Sequence, residues 1–128
     1  MKPKVVIAEA LAQAGIDELS ASAEVIDATG WGRPALLLEL ADAEGLVVRS
    51  ATKVDIEMIS AAPRLRVIGR AGIGVDNIDV EAATRAGVLV VNAPEANTIS
   101  AAEHAIALLL AQARHIPERV WSHHRDHA

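Results

Sequence analysis

Two arginines stand in similar settings. Each follows a run of apolar or small residues and each is followed by small ones: Val48-Arg49-Ser50-Ala51-Thr52 and Gly69-Arg70-Ala71-Gly72. A guanidinium fork binds carboxylate or phosphate through parallel N–H donors, and glycine lets an anion approach backbone N–H groups. The pair therefore suits a small carboxylated metabolite, with or without a phosphate. The same side chains would serve equally well as structural partners of Asp76 or Glu95, and residue type alone does not separate the two readings.

Other chemistry is thinner. Gly72-Ile73-Gly74-Val75-Asp76-Asn77 opens like a dinucleotide fingerprint but carries Asn where the third glycine belongs, and Asp76-Asn77-Ile78-Asp79 delays the helix. A turn that brings backbone close to a ligand or a neighbouring loop fits better. His123 and His127 are four apart, yet residue 124 is His where the zinc-protease pattern needs Glu, and no third ligand is nearby. The reading is no metal site and a polar tail. His104 sits in an apolar stretch, where a hydrogen-bonded core or interface histidine is commoner than a general base. Trp31, between Gly30 and Gly32, is of a kind that stacks on ligands but more often plugs the end of a small core. No Ser-His-Asp arrangement follows from spacing, and the absence of Cys removes thiolate nucleophiles, thiolate metal sites and disulfides.

The elements that would position the arginines alternate. Strands are expected at 4–8, 24–27, 45–49, 65–69 and 88–92, and helices at 11–20, 35–43, 55–62 and 80–86. Each strand is a continuous apolar run, as strands covered on both faces should be. Alternating β and α implies right-handed crossovers and a mainly parallel sheet. Five such units predict a flavodoxin-like, doubly wound α/β sheet of order 2-1-3-4-5 with helices on both faces. Ligands bind such sheets beyond the carboxyl ends of the strands, where Glu9, Arg49, Arg70 and the stretch 92–97 all fall.

The 128 residues make a single domain. With 52% hydrophobic residues a core is expected, and it must be aliphatic because Phe and Tyr are absent. The net charge of −5 argues against nucleic acid as a partner. The longest apolar stretch, 105–113, is far short of a membrane span and the N-terminus lacks a secretory pattern, so a cytoplasmic protein is expected. Ser100-Ala-Ala-Glu103 is a good capping box for a helix over 98–116. That helix would be apolar around most of its circumference, including Leu108, Leu109 and Leu110, and would seek cover, with a homodimer the favoured outcome.

Four stretches in order carry a resemblance: Val48-Arg-Ser-Ala-Thr52, Gly69-Arg-Ala-Gly-Ile-Gly-Val-Asp-Asn77, Val90-Val-Asn-Ala-Pro-Glu-Ala-Asn97 and Ser100-Ala-Ala-Glu103. The chain from Lys4 to about Trp121 resembles the NAD-dependent D-2-hydroxyacid dehydrogenase family. The resemblance implies a flavodoxin-like substrate-binding domain whose 98–116 helix crosses to a nucleotide-binding domain. It implies a phosphorylated 2-hydroxyacid as substrate. Arg49, Ser50 and Arg70 match the family's substrate-anion positions, Ala71 and Gly72 would offer N–H groups to the substrate carboxylate, and Asn97 matches a substrate-side asparagine. Ile73 falls where some members place a Thr against the cofactor, so only a packing contact would survive. The family's dinucleotide loop and catalytic Arg, Glu and His have no counterpart here, which implies that this chain holds no cofactor and is inactive alone.

Two other classes fit less well. A flavin module would want a Ser/Thr-rich loop where Glu9-Ala-Leu-Ala12 stands, and a phospho-receiver would want Asp in place of Arg49. An engineered or reconstructed flavodoxin-like domain with neither ligand nor catalytic function fits the abrupt polar tail.

Overall fold

Short apolar runs separated by helix-forming segments pair side by side in the computed structural model, which describes residues 2–10, 13–71 and 76–93. In chain order these are β1 (Lys4–Ile7), α1 (Gln13–Ser22), β2 (Glu24–Asp27), α2 (Arg33–Glu39), a 3-10 turn (Leu40–Asp42), β3 (Gly45–Val48), α3 (Ile56–Ser60), β4 (Val67–Ala71), α4 (Val80–Arg85) and β5 (Leu89–Ala93). All ladders are parallel and the sheet order is β2-β1-β3-β4-β5. This is the flavodoxin-like order that the alternation predicts.

Successive strand residues point to opposite faces, and the core divides accordingly. On one face Val6, Leu46, Val48 and Ile68 pack under Leu36 of α2, Met58 and Ile59 of α3, and Ala82 and Ala83 of α4. On the other, Val5, Ile7, Val47 and Val67 cluster with Leu19 of α1. Helices thus cover both faces. Ile68 is fully buried and lies between Leu46 and Val90 in the ladder.

Caps set where the helices begin and end. The Asp55 carboxylate accepts the Met58 N–H at 3.0 Å to start α3, and Asp79 accepts the Ala82 N–H at 2.9 Å to start α4. Gly87 ends α4 at φ 77°, with its N–H on the Thr84 carbonyl and the Val88 N–H reaching back to Ala83.

Three expectations need correction. The fourth strand runs from Val67 to Ala71, not over 65–69. Leu65 is apolar because it is buried beneath the turn that its N–H closes with Ala62, and Arg70 lies within the strand. The 35–43 helix begins earlier, at Arg33 with Pro34 in its first turn, and tightens into the 3-10 turn at Leu40. Trp31 does not plug the core: it is 44% exposed, on a turn with Gly30 at φ 83°. The 98–116 segment, Leu108 to Leu110 and all five histidines lie outside the described residues. Among the described residues no helix is long and apolar enough to cross a membrane, and no three His, Asp or Glu side chains gather as a metal site.

Candidate functional site

The carboxyl ends of β1, β3 and β4 meet at one edge because the order 2-1-3-4-5 makes these strands neighbours. In the ladder Val48, Arg70 and Asn92 lie side by side, which puts Arg70 on the face that α2, α3 and α4 cover. Arg70 is only 6% exposed, whereas Arg49 and Ser50 one step beyond the end of β3 are exposed.

Two polar side chains organise this edge. Glu9, just past β1, accepts the backbone N–H groups of Arg49 at 2.7 Å, Ala51 at 3.0 Å and Thr52 at 3.0 Å. Successive N–H groups pointing inward form an anion cradle, and here the chain's own carboxylate fills it. Partial burial pushes the Glu9 carboxyl up, but these hydrogen bonds outweigh it and hold the group below its ordinary range. The N–H groups of Arg49, Ala51 and Thr52 are therefore occupied.

Asn77 is the second organiser. Its Oδ1 accepts from Arg70 Nε at 2.5 Å, while its Nδ2 donates to the carbonyls of Arg49 and Thr52, each at 2.6 Å. The loop after β3 and the turn after β4 are further joined by a parallel bridge, in which Val54 donates to the Asn77 carbonyl and receives from Asp79, both at 2.8 Å. Arg49 also reaches the Ala10 carbonyl at 3.4 Å.

Of the site residues expected from sequence, Arg49, Ser50 and Arg70 are thus brought to one edge, the first two on the loop after β3 and Arg70 within the end of β4. Ala71 ends β4 opposite Ala93. Gly72, Ile73 and Asn97 lie outside the described residues. The residues that sequence reasoning passed over are Glu9 as a loop clamp and Asn77 as a hub. Asn77 was visible only as the residue that spoils a glycine fingerprint. A polar turn residue seven positions after a buried arginine was the available signal.

A dinucleotide does not fit the turn at Asn77. A pyrophosphate cradle needs glycine backbone and a helix N-terminus open to an anion. Here the Asn77 side chain is committed to three protein groups, and α4 starts under the negative carboxylate of Asp79. A groove of about 360 Å³ opens at the opposite end of the sheet, between the ends of α3 and α4. It is lined by Ile59, Leu65 and Val88, and its one charged side chain, Arg85, pairs with Glu81 at 3.0 Å. The convergent polar groups are at the carboxyl edge.

Residues 5–122 match the family model for the catalytic domain of D-isomer specific 2-hydroxyacid dehydrogenases. The chain belongs to that family. Among its relatives, the D-3-phosphoglycerate dehydrogenase of Archaeoglobus fulgidus is 55% identical over 116 residues, 90% of this chain and 22% of that protein. The chain therefore spans about a fifth of the length of that relative. Its structure is similar to that of the PH0520 protein of Pyrococcus horikoshii, with a TM-score of 0.69 and 31% identity over 73% of this chain and 28% of that one. It is also similar to the NAD+-bound 3-phosphoglycerate dehydrogenase of Entamoeba histolytica, with a TM-score of 0.61 and 31% identity over 72% of this chain and 33% of that one. The family membership accounts for the four stretches that carry the resemblance, and the carboxyl-edge arginines fall within two of them.

Proposed function

We propose that this chain is the substrate-recognising part of a 2-hydroxyacid dehydrogenase of the phosphoglycerate type. Arg49, Ser50 and Arg70 receive the anionic groups of a small phosphorylated 2-hydroxyacid, with the N–H groups of Ala71 and Gly72 for its carboxylate and Asn97 on the substrate side. The observation that carries this reading is the Asn77 bridge, which ties the Arg70 side chain to the Arg49 backbone at one strand edge. The similarity to the Archaeoglobus enzyme supports the choice of a phosphorylated substrate.

NAD supplies the hydride acceptor in this family when it is bound. On this reading the described residues do not hold it, Ile73 offers it at most a packing contact, and the chain alone binds substrate without turning it over. The test is calorimetric titration of 3-phosphoglycerate and, separately, NADH into the full chain. Millimolar or tighter binding of phosphoglycerate that is lost in Arg70→Ala, with no heat from NADH, is the expected result. Silence with phosphoglycerate, or turnover by this chain with NAD, overturns the reading. The apolar stretch 105–113 supports association of two copies. Light scattering that shows a single chain at high micromolar concentration overturns that part.

A further inference from the structure

On the anion-binding reading above, we infer that Glu9 is a positioning residue: a built-in anion that presets the loop after β3, so that Arg49 and Ser50 meet the substrate already in place. β3 lies between β1 and β4, and the loop that follows it is gripped from both sides. From the β1 side, Glu9 Oε2 accepts the N–H groups of Arg49 at 2.7 Å and Thr52 at 3.0 Å, and Oε1 accepts that of Ala51 at 3.0 Å. From the β4 side, Asn77 Nδ2 donates to the carbonyls of Arg49 and Thr52. The loop thus gives its donors to one neighbour and its acceptors to the other, while Arg49 and Ser50 stay exposed. The clamp takes Arg49 by its backbone N–H, and the Nη1 of the same residue reaches the Ala10 carbonyl at 3.4 Å. The two residues after Ala8 therefore set both the backbone and the guanidinium of Arg49.

Three N–H donors from one loop need two acceptor atoms on one side chain, and a carboxylate has them. Glutamine keeps one oxygen and sets an NH₂ against a backbone N–H. Hydrogen bonds to an ionised acceptor are also about twice as strong as neutral ones. A loop fixed before its ligand arrives loses less conformational freedom on binding. The opposite role for an internal anion is competition, in which a substrate phosphate displaces Glu9 from the cradle. Displacement would have to drive a charged carboxylate off all three N–H groups, which favours the preset loop. The two roles differ in sign. Removing the Glu9 charge lowers the repulsion felt by an anionic ligand, so a competing Glu9 predicts tighter binding in Glu9→Gln. A positioning Glu9 predicts weaker binding in spite of the lost repulsion.

The test titrates 3-phosphoglycerate into the full chain as wild type, Glu9→Gln and Gly87→Ala, each checked for a native-like amide NMR spectrum. Gly87 ends α4 at the far end of the sheet, and its variant is strained there without touching the loop. Glu9→Gln is expected to weaken binding about tenfold, and Gly87→Ala to bind as the wild type does. Unchanged or tighter binding in Glu9→Gln, or an equal loss in Gly87→Ala, overturns the inference. If Glu9→Gln does not fold, Glu9→Asp, which keeps both oxygens but draws them back by one methylene, is read in the same way. If the wild type itself binds no phosphoglycerate, the functional reading falls, and amide hydrogen exchange still decides whether Glu9 presets the loop. Exchange at Arg49, Ala51 and Thr52 is expected to quicken in Glu9→Gln and not in Gly87→Ala; equal rates in the two variants overturn the positioning role.

Discussion

Glu9 Oε2 accepts the backbone N–H of Thr52 at 3.0 Å across 43 residues of sequence, so the end of the first strand holds the loop after the third. Hydrogen bonds to the ionised form keep the Glu9 carboxyl below its ordinary 4.5 despite the opposing effect of partial burial. A group whose folded pKa is lowered stabilises the fold above its unfolded pKa, and that stability drains away as pH falls through the folded value. Glu9→Gln should therefore lose about 1 kcal/mol at neutral pH, after allowance for solvent screening. Its urea midpoint should also fall less steeply than the wild type's as the pH drops below the ordinary glutamate range. Parallel acid profiles for the two proteins would contradict this role.

Asp55 joins two helix starts. Its Oδ1 accepts the Met58 N–H at 3.0 Å and lies 2.6 Å from Arg33 Nη2. Removing the cap in Asp55→Ala should cost about 1 kcal/mol. Asp55→Asn keeps the acceptor and gives up only a half-exposed ion pair, so its loss should be smaller and should fade with added salt. Thermal melts at low and high ionic strength distinguish the two variants.

Ile68 is fully buried between Leu46 and Val90. Truncation to Ala removes buried methyl groups from the central ladder and should cost about 2–5 kcal/mol, against about 0.5–1.5 kcal/mol for Ile68→Val. Urea unfolding with an unchanged slope and a shifted midpoint is the expected signature.

Gly87 tests backbone conformation separately from packing. A Cβ built there meets nothing within 4 Å, yet the residue sits at φ 77°. Gly87→Ala should thus destabilise by about 1 kcal/mol through strain alone, while Gly87→Asn, which tolerates this region better, should recover part of the loss. Equal urea midpoints for Gly87→Ala and the wild type would show that the turn relaxes.

The sheet was legible because its strands are covered on both faces and read as unbroken apolar runs. Boundaries failed where apolar residues were buried for another reason. Leu65 packs under a turn and looked like strand, while Arg70-Ala71 looked like loop and completes β4. At the carboxyl edge, the nearness of Arg49 and Arg70 was readable because each stands at the end of a strand and the two strands are neighbours in the sheet. Glu9 and Asn77 were harder. Apart from Arg70, their partners are backbone groups tens of residues away, and a sequence pattern carries no record of which N–H or carbonyl lacks a mate.

The bridge between Val54 and Ile78 changes what variation the carboxyl edge can absorb. Surface connections usually drift in length because each ends in solvent. Here the segment leading into α3 is laced to the one leading into α4, so an inserted residue in either would slide Asn77 past Arg49 and dislodge both caps together. Residues 49–55 and 76–79 should therefore behave as one cassette, in which sequence can change residue by residue but length cannot. Grafting this edge onto a related scaffold would require moving both segments at once.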